Sequence, residues 1–261
     1  MNFKTILVSQ GEKVGKITLN RPDKLNALTP DMAFEIAQAI DLLTEEKAVG
    51  VIVVTGMGRA FCAGGDIDNM ETTLTPVDQF VDLRDHANKM AKALHTCRKP
   101  TIAMVNGPAV GAGFSIALAC DMIFASSGAT FGQVFIRVGL HSDCGSTFFL
   151  PRRIGTARAC ELIFTGDIIS AQKAYEMGIL NRIFSPEQLE KETEKIALKI
   201  ANGPPIVLSL VKESIYRAMD HNLNTLLTIE GYAQSILTQT QDHKEGVQAF
   251  LEKRKPVFKG K

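Results

Sequence analysis

The sequence predicts an α/β fold of repeated strand–turn–helix units that ends in a stretch of helices alone. Three observations carry this expectation. Two short, β-branched apolar runs, Val51–Thr55 and Thr101–Val105, each close on glycine-bearing turns and lie roughly 50 residues apart, as in a loose spiral of ββα units. Amphipathic helical spacing separates them. After Asn202-Gly203-Pro204-Pro205 strand periodicity is gone and only helical spacing remains, through Lys253.

Taken in order, Thr5–Val8 and Val14–Leu19 read as two strands with Gly11 in the turn between them. Asn20-Arg21-Pro22-Asp23-Lys24 is a loop by its proline and polar content. Thr29-Pro30 supplies a cap and a proline at the first helical position. Met32, Ile36, Ala39, Ile40 and Leu43 then recur at helical spacing, so residues 30–46 form an amphipathic helix. The 51–55 run is apolar on both faces, as a buried strand requires. The polar stretch 69–79, containing Thr72-Thr73 and Thr75-Pro76, is expected to be a mobile loop beside the site. Phe80, Leu83, Ala87, Met90, Ala91 and Leu94 mark a second amphipathic helix, which Arg98-Lys99-Pro100 ends. Met122–Ala125 and Arg182–Phe184 are further strands, and Ala157–Met177 is helix broken at Thr165-Gly166-Asp167.

In the tail, Ile206, Leu210, Val211 and Ile215 form one apolar face, and Leu223, Leu226, Leu227, Ile229 and Tyr232 begin another. A helix that cannot cover its own apolar stripe packs on the core or on a neighbouring subunit, so an oligomer is expected. The chain thus divides into a core, residues 1–202, and a helical region, residues 203–261.

Composition narrows the function classes. The 261 residues carry a formal net charge of +1, which argues against nucleic acid or an anionic membrane as partner. The five cysteines are odd in number and lack CxxC or Cys/His spacing, so reduced thiols in a cytoplasmic protein are expected, not metal ligands. Residues 1–5 contain no apolar leader core, and no uninterrupted apolar run approaches the ~18–20 residues of a membrane span.

The chemistry resides in the turns. The first runs from Gly56 through Phe61-Cys62-Ala63-Gly64-Gly65-Asp66-Ile67. The second runs from Asn106-Gly107 through Gly111-Ala112-Gly113 into an apolar helical stretch ending at Cys120-Asp121. A strand that ends in small residues and turns into a helix leaves backbone N–H groups aimed outward. Two such donors converging on one point make an oxyanion hole, which stabilises an enolate or a tetrahedral anion.

Asn20-Arg21-Pro22, Asn26-Ala27-Leu28, Ala60-Phe61-Cys62-Ala63-Gly64-Gly65-Asp66, Lys99-Pro100-Thr101-Ile102-Ala103, Asn106-Gly107, Gly111-Ala112-Gly113, Cys120-Asp121, Leu150-Pro151-Arg152 and Ala171-Gln172-Lys173-Ala174 follow one another in a recognisable order. From Leu7 to its C-terminus the chain resembles the enoyl-CoA hydratase/isomerase (crotonase) family. The resemblance implies a spiral of ββα units, a C-terminal helical trimerisation region giving a homotrimer or dimer of trimers, and an acyl-CoA thioester substrate. It carries the two oxyanion N–H donors onto Gly65 and Ala112. It also carries the CoA contacts onto Lys24, Leu25, Ala27, Ala63, Asp66 and Ile67, mostly through backbone. CoA enters as part of the substrate, and no separate cofactor is implied. Lys24, Arg59, Lys253, Arg254, Lys255 and Lys259 are available to its phosphates, with a solvated helix end as the other reading of the tail cations.

The chain departs from the family's hydratases at their two water-activating glutamates. Those positions hold Ser115 and Phe135, neither of which is a general base near neutral pH. One carboxylate remains in Leu140-His141-Ser142-Asp143-Cys144-Gly145-Ser146. A matching aspartate is the proton shuttle in the family's single-aspartate isomerases, so the resemblance assigns Asp143 that role. Phe135, Val138, Leu140 and Phe148 suggest an apolar acyl pocket, and Ser115, Phe135 and Leu140 are expected to contact the substrate. Asp143 also reads as an N-cap for the helix that follows. His141 reads as a hydrogen-bonded loop histidine that could assist, Asp121 as a structural cap, and Cys144 as a thiol without an orienting base. The expected activity is a double-bond shift in an unsaturated acyl-CoA. Hydratase, dehalogenase, other lyase, thioesterase and non-catalytic acyl-CoA-binding roles are the alternatives.

Overall fold

A computed structural model describes residues 3–67 and 75–261. It begins with an antiparallel hairpin, β1 (Ile6–Gln10) and β2 (Val14–Leu19), closed by the Gly11 N–H donating to the Val14 carbonyl. Next to β2 lie β3 (Val51–Gly56), β4 (Thr101–Val105), β6 (Met122–Ser126) and β9 (Arg182–Phe184), each parallel to its neighbour, giving a sheet of order β1-β2-β3-β4-β6-β9. A smaller sheet pairs β5 (Ala109–Val110) with β7 (Thr130–Gly132), and β7 with β8 (Ile168–Ser170). Its strands are two or three residues long, too short to show a two-residue period in the sequence.

The central strands of the large sheet, β3, β4 and β6, are covered on both faces, which is why they are almost wholly apolar. Ile52, Val54, Ala103, Val105 and Ile123 point into the main core, with α1 (Pro30–Glu45), α3 (Ala87–Thr96) and α4 (Ala112–Ala119). The alternating positions, Val51, Val53, Ile102, Met104 and Phe124, form a second core with Leu189, Ala197 and Ala201 of α8 (Pro186–Ala201). Thr29 caps α1 by accepting from the Met32 N–H, with Pro30 at the first helical position.

Two helices differ from the sequence expectation. The stretch predicted as one helix from Phe80 is two, α2 (Pro76–Asp85) and α3, broken at His86 where the backbone leaves helical geometry. Thr75 caps α2 just as Thr29 caps α1, so residues 76–79 of the expected loop are helical. The rest of that loop, residues 69–74, lies outside the described residues. The predicted 157–177 helix breaks where expected, at Thr165-Gly166-Asp167, into α6 (Thr156–Thr165) and α7 (Ala171–Glu176); what differs is the strand β8 between them. α5 (Ser146–Ile154) precedes α6.

From Pro205 onward the chain is helical: α9 (Pro205–Arg217), α10 (Leu223–Leu237) and α11 (Gln241–Leu251). Asp121, expected to cap α4, instead anchors this tail. Its Oδ1 accepts from the Tyr216 hydroxyl at 2.6 Å, and its Oδ2 from Lys212 Nζ at 2.8 Å and the Thr101 N–H at 2.7 Å. Arg153, on α5, donates to the Leu118 and Cys120 carbonyls beside it. A carboxylate between two strands and a distant helix serves long-range partners that helix periodicity does not reveal.

Among the described residues, no helix is long and apolar enough to cross a membrane.

Candidate active site

Both glycine turns leave the carboxyl ends of adjacent parallel strands, β3 and β4, where ligand crevices of α/β sheets open. They are stitched together. The Phe61 and Cys62 N–H groups donate to the Pro108 carbonyl, and the Val110 N–H donates to the Cys62 carbonyl at 3.0 Å. The approach excludes side chains: a methyl group on Gly113 would sit 2.1 Å from the Cys62 carbonyl oxygen. Gly64, at φ +114°, would place one 3.2 Å from the Val110 oxygen. Across the gap, Gly111 faces Gly64 and the tip of the Phe135 ring.

Hydrogen-bond accounting singles out two donors. Leu28 bridges Gly65 in parallel fashion, its N–H going to the Gly64 carbonyl and its carbonyl receiving the Asp66 N–H. A parallel bridge of this kind uses the groups of residues 64 and 66 and leaves the Gly65 N–H unengaged. Ala112 opens α4, so its N–H has no carbonyl one turn back. Among the described residues neither N–H donates to another group. Ala63, by contrast, has its N–H committed to the Leu25 carbonyl at 3.0 Å.

The loop before α1 is held against the first turn by side chains that the sequence did not single out. Leu25 and Asn26 adopt left-handed backbone geometry, which asparagine tolerates better than most residues. The buried Asn26 side chain accepts from the Arg21 N–H and donates to the Met57 and Ala60 carbonyls, all at 2.9 Å. Arg21 donates to the Ala27 carbonyl and to Asp66 Oδ2, each at 2.6 Å. The Asp66 carboxylate, a predicted CoA contact, is 4% exposed and faces Arg21. Lys24 and Ile67 are exposed, while Leu25, Ala27 and Ala63 are half-buried along the same edge. Arg59 is exposed, whereas Arg254 is held by Glu245 and Glu252 within the tail.

Ser115 lies one turn into α4 and is fully buried. Its hydroxyl is 3.1 Å from the Gly111 carbonyl oxygen and receives Gln133 Nε2 at 3.4 Å. Phe135, on a short 3-10 turn at Val134–Val138, is nearly buried and walls the second glycine turn. Its carbonyl accepts the Leu140 N–H, which ties the following loop to that wall. The Leu140 side chain is 44% exposed, and Val138 and Phe148 are also exposed. Phe148 packs against His95, Phe149 and the Arg152 guanidinium.

Asp143 stands on this loop. The N-cap of α5 is Gly145, with no side-chain cap, so the capping alternative is not what the structure shows. Oδ1 of Asp143 is buried with no hydrogen-bond partner among the described residues. Burial pushes its carboxyl above the usual range, against smaller opposing effects of the Cys144 thiol and His141. Burial also pushes the Cys144 thiol well up, with Asp143 and the nearby Cys62 adding to the effect. Cys144 is therefore a thiol, not a thiolate nucleophile. His141 is exposed, with Nδ1 2.6 Å from the Ser142 carbonyl.

A groove of about 430 Å³ in the tail, lined by Val207, Leu237, Phe250 and Phe258 among others, includes none of these residues. Among the described residues no three His, Cys, Asp or Glu side chains gather as a metal site would require.

The family profile described as Enoyl-CoA hydratase/isomerase matches residues 9–261. The chain is 36% identical to the 1,2-epoxyphenylacetyl-CoA isomerase of Escherichia coli (strain K12), covering 98% of each chain. It is 38% identical to a probable mitochondrial enoyl-CoA hydratase of Dictyostelium discoideum, covering 99% of this chain and 93% of that one. Among solved structures, an enoyl-CoA hydratase subunit I of Geobacillus kaustophilus superposes with a TM-score of 0.93 at 42% identity, with 99% of both chains covered. Unbroken similarity over nearly the whole length, with both glycine turns facing each other, makes this protein a member of the enoyl-CoA hydratase/isomerase family.

Proposed function

We propose that the protein is an acyl-CoA isomerase that shifts a double bond in an unsaturated thioester. The Gly65 and Ala112 N–H groups receive the thioester oxygen as negative charge develops on it. Asp143 removes a proton from the α-carbon and returns it at the γ-carbon of the dienolate. The observation that carries this reading is a buried Asp143 Oδ1 with no hydrogen-bond partner among the described residues, in a site whose two hydratase glutamate positions hold Ser115 and Phe135. A carboxylate raised by burial is a stronger base than a solvated one, which suits abstraction of a weakly acidic C–H. Relatives named hydratases favour water addition, but that reaction needs an activated water for which Ser115 and Phe135 supply no base. CoA enters only within the substrate, along Lys24–Ala27 and the first glycine turn. Five free thiols suit a reducing compartment such as the cytoplasm.

We also propose that the chain works as a homotrimer or a dimer of trimers. Ile215, Leu223 and Phe250 are 62%, 72% and 83% exposed on α9, α10 and α11, an apolar surface that a neighbouring copy would cover.

The test offers 3-enoyl-CoA and 2-enoyl-CoA separately and weighs the products. Unchanged mass supports isomerisation; a gain of one water overturns it. Asp143→Asn should lower kcat by about a thousandfold with substrate binding retained. Because the base must be ionised, kcat should rise with pH through a midpoint above the ordinary carboxylate value and then level off. A flat profile, or an active Asp143→Asn enzyme, moves the base elsewhere.

A further inference from the structure

The peptide unit joining Gly111 to Ala112 carries its carbonyl and its N–H on opposite edges, as every trans peptide does. The N–H edge is the second of the two donors that engage no group among the described residues. The carbonyl edge is fixed from behind by two groups of one residue: the Ser115 N–H at 3.0 Å and the Ser115 hydroxyl at 3.1 Å. The Ser115 oxygen in turn receives Gln133 Nε2 at 3.4 Å, and both side chains are fully buried. On its other side Gly111 donates its own N–H to the Gly132 carbonyl at 2.8 Å, immediately before Gln133.

Such bracing has a purpose at this position. Gly111 sits at φ +53°, ψ −122°, and without a Cβ it places few steric limits on rotation of the peptide that follows. A rotated peptide would turn the Ala112 N–H away from the site. Donors on the carbonyl also polarise the peptide and strengthen its N–H as a donor, because linked hydrogen bonds reinforce one another.

We infer that Ser115, backed by Gln133, is a positioning residue that aims and polarises the Ala112 N–H by holding the Gly111 carbonyl. The inference rests on the oxyanion reading above. The position that carries a water-activating carboxylate in the family's hydratases thereby serves the neighbouring donor instead. Ser115 touches no reacting atom; it acts through one peptide bond.

The experiment compares the parent with Ser115→Ala, Gln133→Met and the double variant, each checked for a native far-UV spectrum and melting transition. Two readouts are taken: kcat and KM for the enoyl-CoA that the parent isomerises, and the near-ultraviolet absorbance of acetoacetyl-CoA, which reports its enolate when bound. Ser115→Ala should lower kcat about tenfold, a fraction of the 10²–10³ lost when an oxyanion donor is deleted outright. KM should stay within about twofold, since the ground-state thioester asks less of the donor. The bound enolate signal should fall in parallel. Gln133→Met should show a smaller loss of the same kind, and the double variant should match Ser115→Ala, because the relay has one output. Should Ser115→Ala fail to fold, Gln133→Met alone carries the test. Unchanged kcat and enolate signal in the folded variants, a change confined to KM, or additive losses in the double variant would overturn the inference. A parent that shows neither turnover nor enolate binding overturns the oxyanion reading itself, a failure distinct from these.

Discussion

The sheet core and the helical tail solve the burial problem in opposite ways. In β3 every residue is buried, and α4 is buried from end to end. In α9 and α10 no residue is fully buried, although their sequences are as apolar as a core helix. The core closes on itself because α8 covers the sheet face that α1, α3 and α4 leave open. The tail touches the core through a few polar anchors, chiefly the Asp121 carboxylate with Tyr216 and Lys212. A rigid interior suits the placing of two backbone donors, and an unsatisfied apolar tail suits assembly.

The largest effect should come from disturbing the contact between the glycine turns. Gly113→Val would drive a branched side chain into the Cys62 backbone and destabilise the fold by about 3 kcal/mol, measurable by urea unfolding. Native stability in that variant would mean the turns are not rigidly apposed. Next, Asp121→Ala leaves Lys212 and Tyr216 without their shared acceptor. Its cost should be about 2 kcal/mol, with amide exchange rising in α9 and not in β3 or β4. Equal exchange in both regions would erase the distinction between core and tail. The smallest effect on stability should come from Leu223→Lys. In a single chain it changes stability within about 0.5 kcal/mol, yet it should shift sedimentation toward smaller species. An unchanged assembly would exonerate this part of the α10 surface from subunit contact.

Much of the architecture was legible in the residues because its signals are local. Thr29-Pro30 and the 3.6-residue spacing after it mark α1, and β-branched runs mark β3 and β4. The same Thr-Pro signal at Thr75-Pro76 marks α2, but the polar residues around it outweighed the cap in the reading. The small sheet was not legible, since strands of two or three residues exist only where their partners hold them. Asn26 and Arg21 lie within the Asn26-Ala27-Leu28 and Asn20-Arg21-Pro22 motifs, yet their side chains hold Met57, Ala60 and Asp66, more than thirty residues away.

The order of motifs alone carried the resemblance to the family. The periods of strand and helix, with the glycine-bearing turns after β3 and β4, carried the α/β class, because these signals are local. Only the tertiary structure decided that Asp143 is no helix cap and keeps a buried oxygen without a partner among the described residues, that Asp121 binds the tail, and that Ser115 is turned toward the Gly111 carbonyl. Each of these depends on which groups remain after every other polar atom has found its partner. That residue of the hydrogen-bond accounting exists only once distant segments have packed and shut out water.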